Sequence, residues 1–115
     1  MSVLSQSTIA KKVSFSGVGI HTGNNVKMSV LPSTPNSGIV FKRTDLKQNN
    51  IVIPNFENVS DATLCTTVSN QFGVKVSTIE HLMAAFLGLG IDNAVVELDS
   101  QEVPILDGSA RDFVK

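Results

Sequence analysis

The chain has 115 residues, 42% of them hydrophobic and 17% charged, with a net charge of −1. That is one domain's length, with enough apolar content to bury a core and too much to stay disordered. Lys and Arg form no run, and six Phe stand without Trp or Tyr. Nucleic acid is therefore excluded as a main partner, because phosphate binding needs a concentrated positive face.

The first residues, Met1-Ser2-Val3-Leu4-Ser5-Gln6, have no charged segment before an apolar run, so no secretory leader is expected. Residues 8–15 read as a strand with Ile9, Val13 and Phe15 apolar. Gly17-Val18-Gly19-Ile20-His21-Thr22-Gly23 follows as a tight loop in which Gly17, Gly19 or Gly23 takes positive φ. It superficially suggests a dinucleotide-binding loop, but Thr22 stands where the third glycine belongs and a strand pattern follows instead of a helix. That strand is marked by Val26, Met28 and Val30 alternating with Lys27 and Ser29. Residues 32–38 form a turn region, and residues 38–43 and 51–53 form short strands around a polar loop at 45–50. Residues 63–68 and 74–76 flank Ser69-Asn70-Gln71-Phe72-Gly73 as a hairpin.

The hairpin runs into the most informative stretch, Ser77-Thr78-Ile79-Glu80-His81-Leu82-Met83-Ala84-Ala85-Phe86-Leu87-Gly88-Leu89-Gly90. Ile79, Leu82, Met83, Phe86 and Leu87 fall at helical spacing and predict one apolar stripe. Ser77 is placed to cap the helix, with Glu80 three residues later completing a capping box, and Gly88 and Gly90 supply the stop. His81 falls roughly opposite the stripe, beside Ala84, Ala85 and Gly88. A solvent face would carry Lys, Glu or Gln, so small residues there predict a close-packed partner or a groove. Residues 93–98 return as a strand, and Val103-Pro104-Ile105-Leu106 leads to a second helix starting near Ser109. Strands bracket the helix rather than alternating with helices, which predicts an α+β fold: a two-layer domain with a mainly antiparallel or mixed sheet and helices on one face. A helix starting at Ser109 has fewer than two turns before Lys115, which suggests a truncated domain.

The residues with chemical potential each have a bland reading. Glu80 and His81 are either a capping acid with an incidental neighbour, or a proton acceptor beside a metal ligand. The H-E-x-x-H protease signature is absent, and H-x-x-E-H fails because Ser77 stands in its first position. His21 is a loop residue, either on the surface or pointing into a site. Cys65, the only cysteine, excludes an internal disulfide, fits a reducing compartment, and reads as a small core residue. Asp99, Glu102, Asp107 and Asp112 are scattered acids, most of them expected to be solvated, with Asp107 starting a turn or helix. Two His and one Cys do not assemble a catalytic zinc site, which takes three protein ligands and a water. The longest nearly apolar run, residues 82–91, is too short to span a bilayer. A cytoplasmic protein without stable membrane insertion is expected.

Taken together, the glycine loop, Arg43-Thr44-Asp45-Leu46, Leu64-Cys65-Thr66, Ser77-Thr78-Ile79-Glu80-His81-Leu82-Met83-Ala84-Ala85, Gly88-Leu89-Gly90-Ile91-Asp92-Asn93 and Pro104-Ile105-Leu106-Asp107-Gly108-Ser109-Ala110 resemble the UDP-3-O-acyl-N-acetylglucosamine deacetylases, running in order from about Gln6 to Val114. These are zinc amidases at the committed step of lipid A synthesis in Gram-negative bacteria. The resemblance implies two similar α+β domains with their helices sandwiched between two sheets and the site in the cleft between them. Residues 1–115 then correspond to the first domain, truncated in its second helix. The resemblance makes His81 one Zn2+ ligand and Glu80 the general base, with His21 and Cys65 near the cleft in lesser roles. The other ligands, a His and an Asp, and a helping Lys and His fall in the second domain, which is the expected partner beside the substrate. The chain alone is then expected to be inactive. The rival expectation is a non-catalytic half-domain that self-associates through its uncovered helix face.

Overall fold

The structure, a computed structural model, describes residues 6–62 and 65–104. Alternation builds its larger sheet. In β2 (Asn25–Pro32), Val26, Met28 and Val30 turn inward while Lys27 faces out; in β8 (Ala94–Leu98), Ala94, Val96 and Leu98 are buried. β1 (Val13–Val18) pairs antiparallel with β2, and β2 antiparallel with β8. β3 (Ile39–Arg43) lies parallel to β8 and antiparallel to the two-residue β4 (Ile51–Val52). The five-stranded sheet therefore runs β1-β2-β8-β3-β4 and is mixed, with the chain's late strand β8 inserted at its centre.

A second, three-stranded sheet runs β5-β6-β7, from β5 (Val59–Asp61), β6 (Thr67–Ser69) and β7 (Lys75–Ser77). Its β6–β7 hairpin turns where predicted, but Cys65 and Thr66, expected in the first strand, lie outside β6, and Ser69, expected in the turn, lies within it. Asn70 organises the turn, its side-chain oxygen accepting the N–H groups of Phe72 and Val74, and Gly73 takes φ 80°. Arg43 ties the two sheets together: its guanidinium pairs with Asp45 and donates to the Lys75 carbonyl of β7 at 3.3 Å. The Arg43-Thr44-Asp45 motif thus has a structural use.

One cluster of buried side chains joins both sheets and the single described α-helix, α1 (Glu80–Leu89). Leu82 and Phe86 are its buried residues, with Ile79 just before it. The fold is α+β, as the element order predicts.

Several sequence expectations change. β1 runs on to Val18, because Gly17 and Val18 pair with Val26 and Asn25. The tight loop is therefore residues 19–24, closed by the Gly19 N–H on the Asn24 carbonyl. Within it only Gly23 takes positive φ. Leu87 does not belong to the buried stripe: it is 84% exposed. The stripe centres on Leu82 and Phe86, and Leu87 lies about 100° beyond Phe86 around the helix. Gly90 alone makes the stop, at φ 71° with its N–H on the Leu87 carbonyl, while Gly88 lies inside the helix. The second helix start, with Asp107, Ser109 and Asp112, lies outside the described residues.

Candidate active site

The corner between β7 and α1 positions the acid–imidazole pair. Ser77 is the last residue of β7, not a helix cap. It pairs with Thr67 across the sheet, its N–H donates to the Gln101 carbonyl, and its carbonyl accepts from Val103. With Ser77 held in the sheet, the chain turns at Thr78, which takes φ 62°. This is the left-handed region, where a β-branched residue costs about 1–3 kcal/mol. The helix then starts at Glu80, with Ile79 in the capping position and no side-chain cap. The capping box does not form. Instead, Thr66 clasps the corner: its carbonyl accepts from Thr78 N–H at 2.9 Å and from Ile79 N–H, and its own N–H donates to Glu80 Oε1 at 3.3 Å. Glu80 is half-buried, with one carboxylate oxygen committed to this contact.

His81, one residue on, is exposed on the side of α1 away from the core. Ala84, Leu87 and Gly88 share that exposed side, and a Cβ added at Gly88 would meet nothing within 4 Å. Ala85, expected there too, is half-buried and packs against the core. The imidazole makes no hydrogen bond with any described residue.

Glu102 is the largest departure from the sequence reading. One of four acids expected to be mostly solvated, it is completely buried. Its carboxylate takes the Thr78 hydroxyl on Oε2 at 2.6 Å, the Thr22 N–H on Oε1 at 2.8 Å, and the His21 N–H shared between both oxygens at 3.1 Å. Burial by itself would raise the carboxyl's pKa; the bonds from the Thr78 hydroxyl and from Thr22 and His21 outweigh it and hold the group below its ordinary value. This carboxylate explains Gly19. A Cβ there would run into Glu102 Oε1 and sit 2.7 Å from Thr22 Oγ1, so the position needs glycine for room, not for positive φ. The only sequence signal for Glu102 is an acid set immediately before an apolar run starting at Val103. Thr78 gave none, since threonine is a poor choice for its conformation. Asp99 does lie exposed, where its Oδ1 accepts the Lys27 N–H at 2.9 Å.

The candidate residues gather around the corner by two routes. Cys65 is half-buried, not a core residue, and precedes Thr66, whose N–H reaches Glu80. His21 is exposed, and its loop reaches Thr78 through Glu102. Among the described residues no three His, Cys, Asp or Glu side chains come together as a metal site. The donor set does not fit a complete zinc centre, and His81 offers a single imidazole.

These features define an α+β domain that presents a carboxylate and an imidazole, consecutive in sequence, on the first turn of its helix. The chain belongs to the UDP-3-O-acyl N-acetylglycosamine deacetylase family, whose model matches residues 6–115. It is 51% identical over 109 residues to the UDP-3-O-acyl-N-acetylglucosamine deacetylase of Shewanella baltica strain OS155, and 50% identical over 109 residues to that of Shewanella sp. strain W3-18-1. Each comparison covers 95% of this chain and 36% of the relative, so the chain spans about a third of the length of the curated relatives it matches.

Proposed function

We propose that residues 1–115 are the first domain of a UDP-3-O-acyl-N-acetylglucosamine deacetylase that removes the N-acetyl group by hydrolysis, at the committed step of lipid A synthesis. The supporting observation is the Glu80–His81 pair: a partly sheltered carboxylate anchored by Thr66, and an exposed imidazole on a face of small and apolar residues. In this reading His81 contributes one ligand to a Zn2+ whose other ligands lie outside the chain. Zinc, when bound, supplies Lewis acidity toward water and carbonyl oxygen. Glu80 takes the proton from the attacking water. Its bond from Thr66 leaves the second carboxylate oxygen to do so. His21 and Cys65 border the cleft. The exposed face of His81, Ala84, Leu87 and Gly88 meets a second domain of the same protein. No described helix is long and apolar enough to cross a membrane, and we place the enzyme in the cytoplasm.

The test separates the two roles in the full-length protein. His81→Ala loses tight zinc and acetate release together. Glu80→Ala keeps zinc and loses rate by about 100-fold or more, as expected for a general base. Equal zinc loss in both variants would overturn the division of roles. The 115-residue chain alone releases no acetate; robust zinc-dependent turnover by it would contradict the need for a second domain. A monodisperse, metal-free dimer of the chain in sedimentation would favour self-association through the Leu87 face instead.

A further inference from the structure

Glu102 is the only charged side chain that is fully buried among the described residues, and the proposed chemistry does not use it. Its hydrogen-bond donors come from two segments far apart in sequence: the loop with His21 and Thr22, and the corner residue Thr78. We propose that Glu102 is a positioning residue, whose buried carboxylate locks the His21 loop onto the corner that launches α1, so that His21, Glu80 and His81 are presented as one unit. Its catalytic consequence rests on the deacetylase reading; the lock itself does not.

Four observations carry this. First, the described donors to the carboxylate come only from segments that bear candidate site residues. Each is a charge-assisted bond, roughly twice as strong as its neutral counterpart. Second, Thr78 sits at φ 62°, a conformation that persists only where its surroundings over-determine it. The 2.6 Å bond from its hydroxyl to Glu102 Oε2 and the 2.9 Å bond from its N–H to the Thr66 carbonyl do so from two different segments. Third, the backbone around Glu102 grips the same corner, through Ser77 N–H to Gln101 and Val103 N–H to Ser77. Fourth, Gly19 lets the loop close down on the carboxylate where any side chain would collide with it. A contact serving stability alone would not need a strained threonine next to the helix that bears the reactive pair.

The experiment uses the full-length protein. Glu102→Gln keeps the shape but removes the charge and one acceptor, so one of the three donors loses its carboxylate partner. Hydrogen exchange read by mass spectrometry then shows peptides covering residues 19–24 and 77–82 exchanging faster together, by about tenfold. Peptides from β2 and β8 do not change. Acetate release from UDP-3-O-acyl-N-acetylglucosamine loses about 10- to 100-fold in kcat, with KM and zinc content unchanged. Thr78→Val, which removes only the hydroxyl, reproduces the kcat loss. The double variant is no worse than Glu102→Gln, because both changes break one linkage. Val96→Ala, a core change in β8 that touches none of the bonds to Glu102, lowers thermal stability without altering loop exchange or kcat. Should Glu102→Gln fail to fold, Thr78→Val carries the same readouts.

Exchange that loosens in only one of the two segments overturns the lock. Coupled loosening with unchanged kcat overturns its role in catalysis, and so does an additive double variant. If the unaltered protein releases no acetate, the deacetylase reading falls, and the exchange pattern alone then upholds or overturns the lock.

Discussion

The exposed face of α1 and the buried pocket around Glu102 flank the same corner and are built by opposite rules. On the helix face, His81 stands among Ala84, Leu87 and Gly88 with no bond to a described residue. In the pocket, a carboxylate with no access to water is met by three donors, and a glycine is required to make room for it. A group that is to bind or react must keep its lone pairs available, so it cannot be fixed by its own hydrogen bonds. Its orientation has to come from the backbone beneath it, and here that backbone is held by polar groups that are spent entirely on holding. Glu80 falls between the two cases, with Thr66 fixing one oxygen and the other left unbonded by described residues.

The contrast can be broken or sharpened at four positions. The largest effect is expected at Phe86, buried beneath the exposed face: Phe86→Ala opens a cavity and costs about 3–5 kcal/mol in urea denaturation. A cost near zero would mean that the helix is not seated on the core as described. Gly19→Ala comes next, at about 1–3 kcal/mol, because the added methyl collides with the Glu102 carboxylate and the loop must retreat. If melting of that variant matches the unaltered protein, the loop does not close on the carboxylate.

Acid provides the third test. Glu102 titrates below its ordinary 4.5 in the folded protein, so its ionised form stabilises the fold at and above that value. That contribution drains away as pH falls through the ordinary value toward the lowered one. Glu102→Gln has no such group, so stability measured against pH should lose part of its slope below about 4.5. An unchanged slope would show that the carboxylate is not the titrating group. The smallest effect belongs to the exposed face: Leu87→Ala should change the stability of the 115-residue chain by less than about 0.5 kcal/mol. In the full-length protein the same substitution should cost about 1.5–3 kcal/mol if a second domain covers that leucine. Equal, negligible values in both would leave the face uncovered.

Much of the frame was legible in advance. Alternation in β2 and β8 marked their inward faces, Asn70 and Gly73 marked the hairpin turn, and Ile79, Leu82 and Phe86 marked the core side of α1. Glu80 and His81 were singled out because an acid and an imidazole on an otherwise apolar and small-residue helix are conspicuous. The errors share a cause. Ser77 has the right type and spacing for a cap, yet pairing with Thr67 and Glu102 took its backbone into the sheet. Leu87 is apolar at a plausible spacing, yet the helix is rotated so that Leu82 and Phe86 face inward. Local pattern offers such residues two roles, and contacts from distant segments choose between them.

The sequence by itself determined the alternation of β2 and β8, the helix after the hairpin, the α+β class, and the presence of an acid–imidazole pair at the start of α1, because these follow from side-chain type and period along a short stretch; it did not mark β5. Only the tertiary structure decided that β8 enters the middle of a mixed sheet, that Thr78 turns the corner in a strained conformation, and that Glu102 is buried with the loop of His21 wrapped on it. The last of these depends on groups about 80 residues apart reaching the same oxygen atoms. No local preference encodes such a meeting; it is fixed when the buried carboxylate must find donors and the folded chain has these to offer.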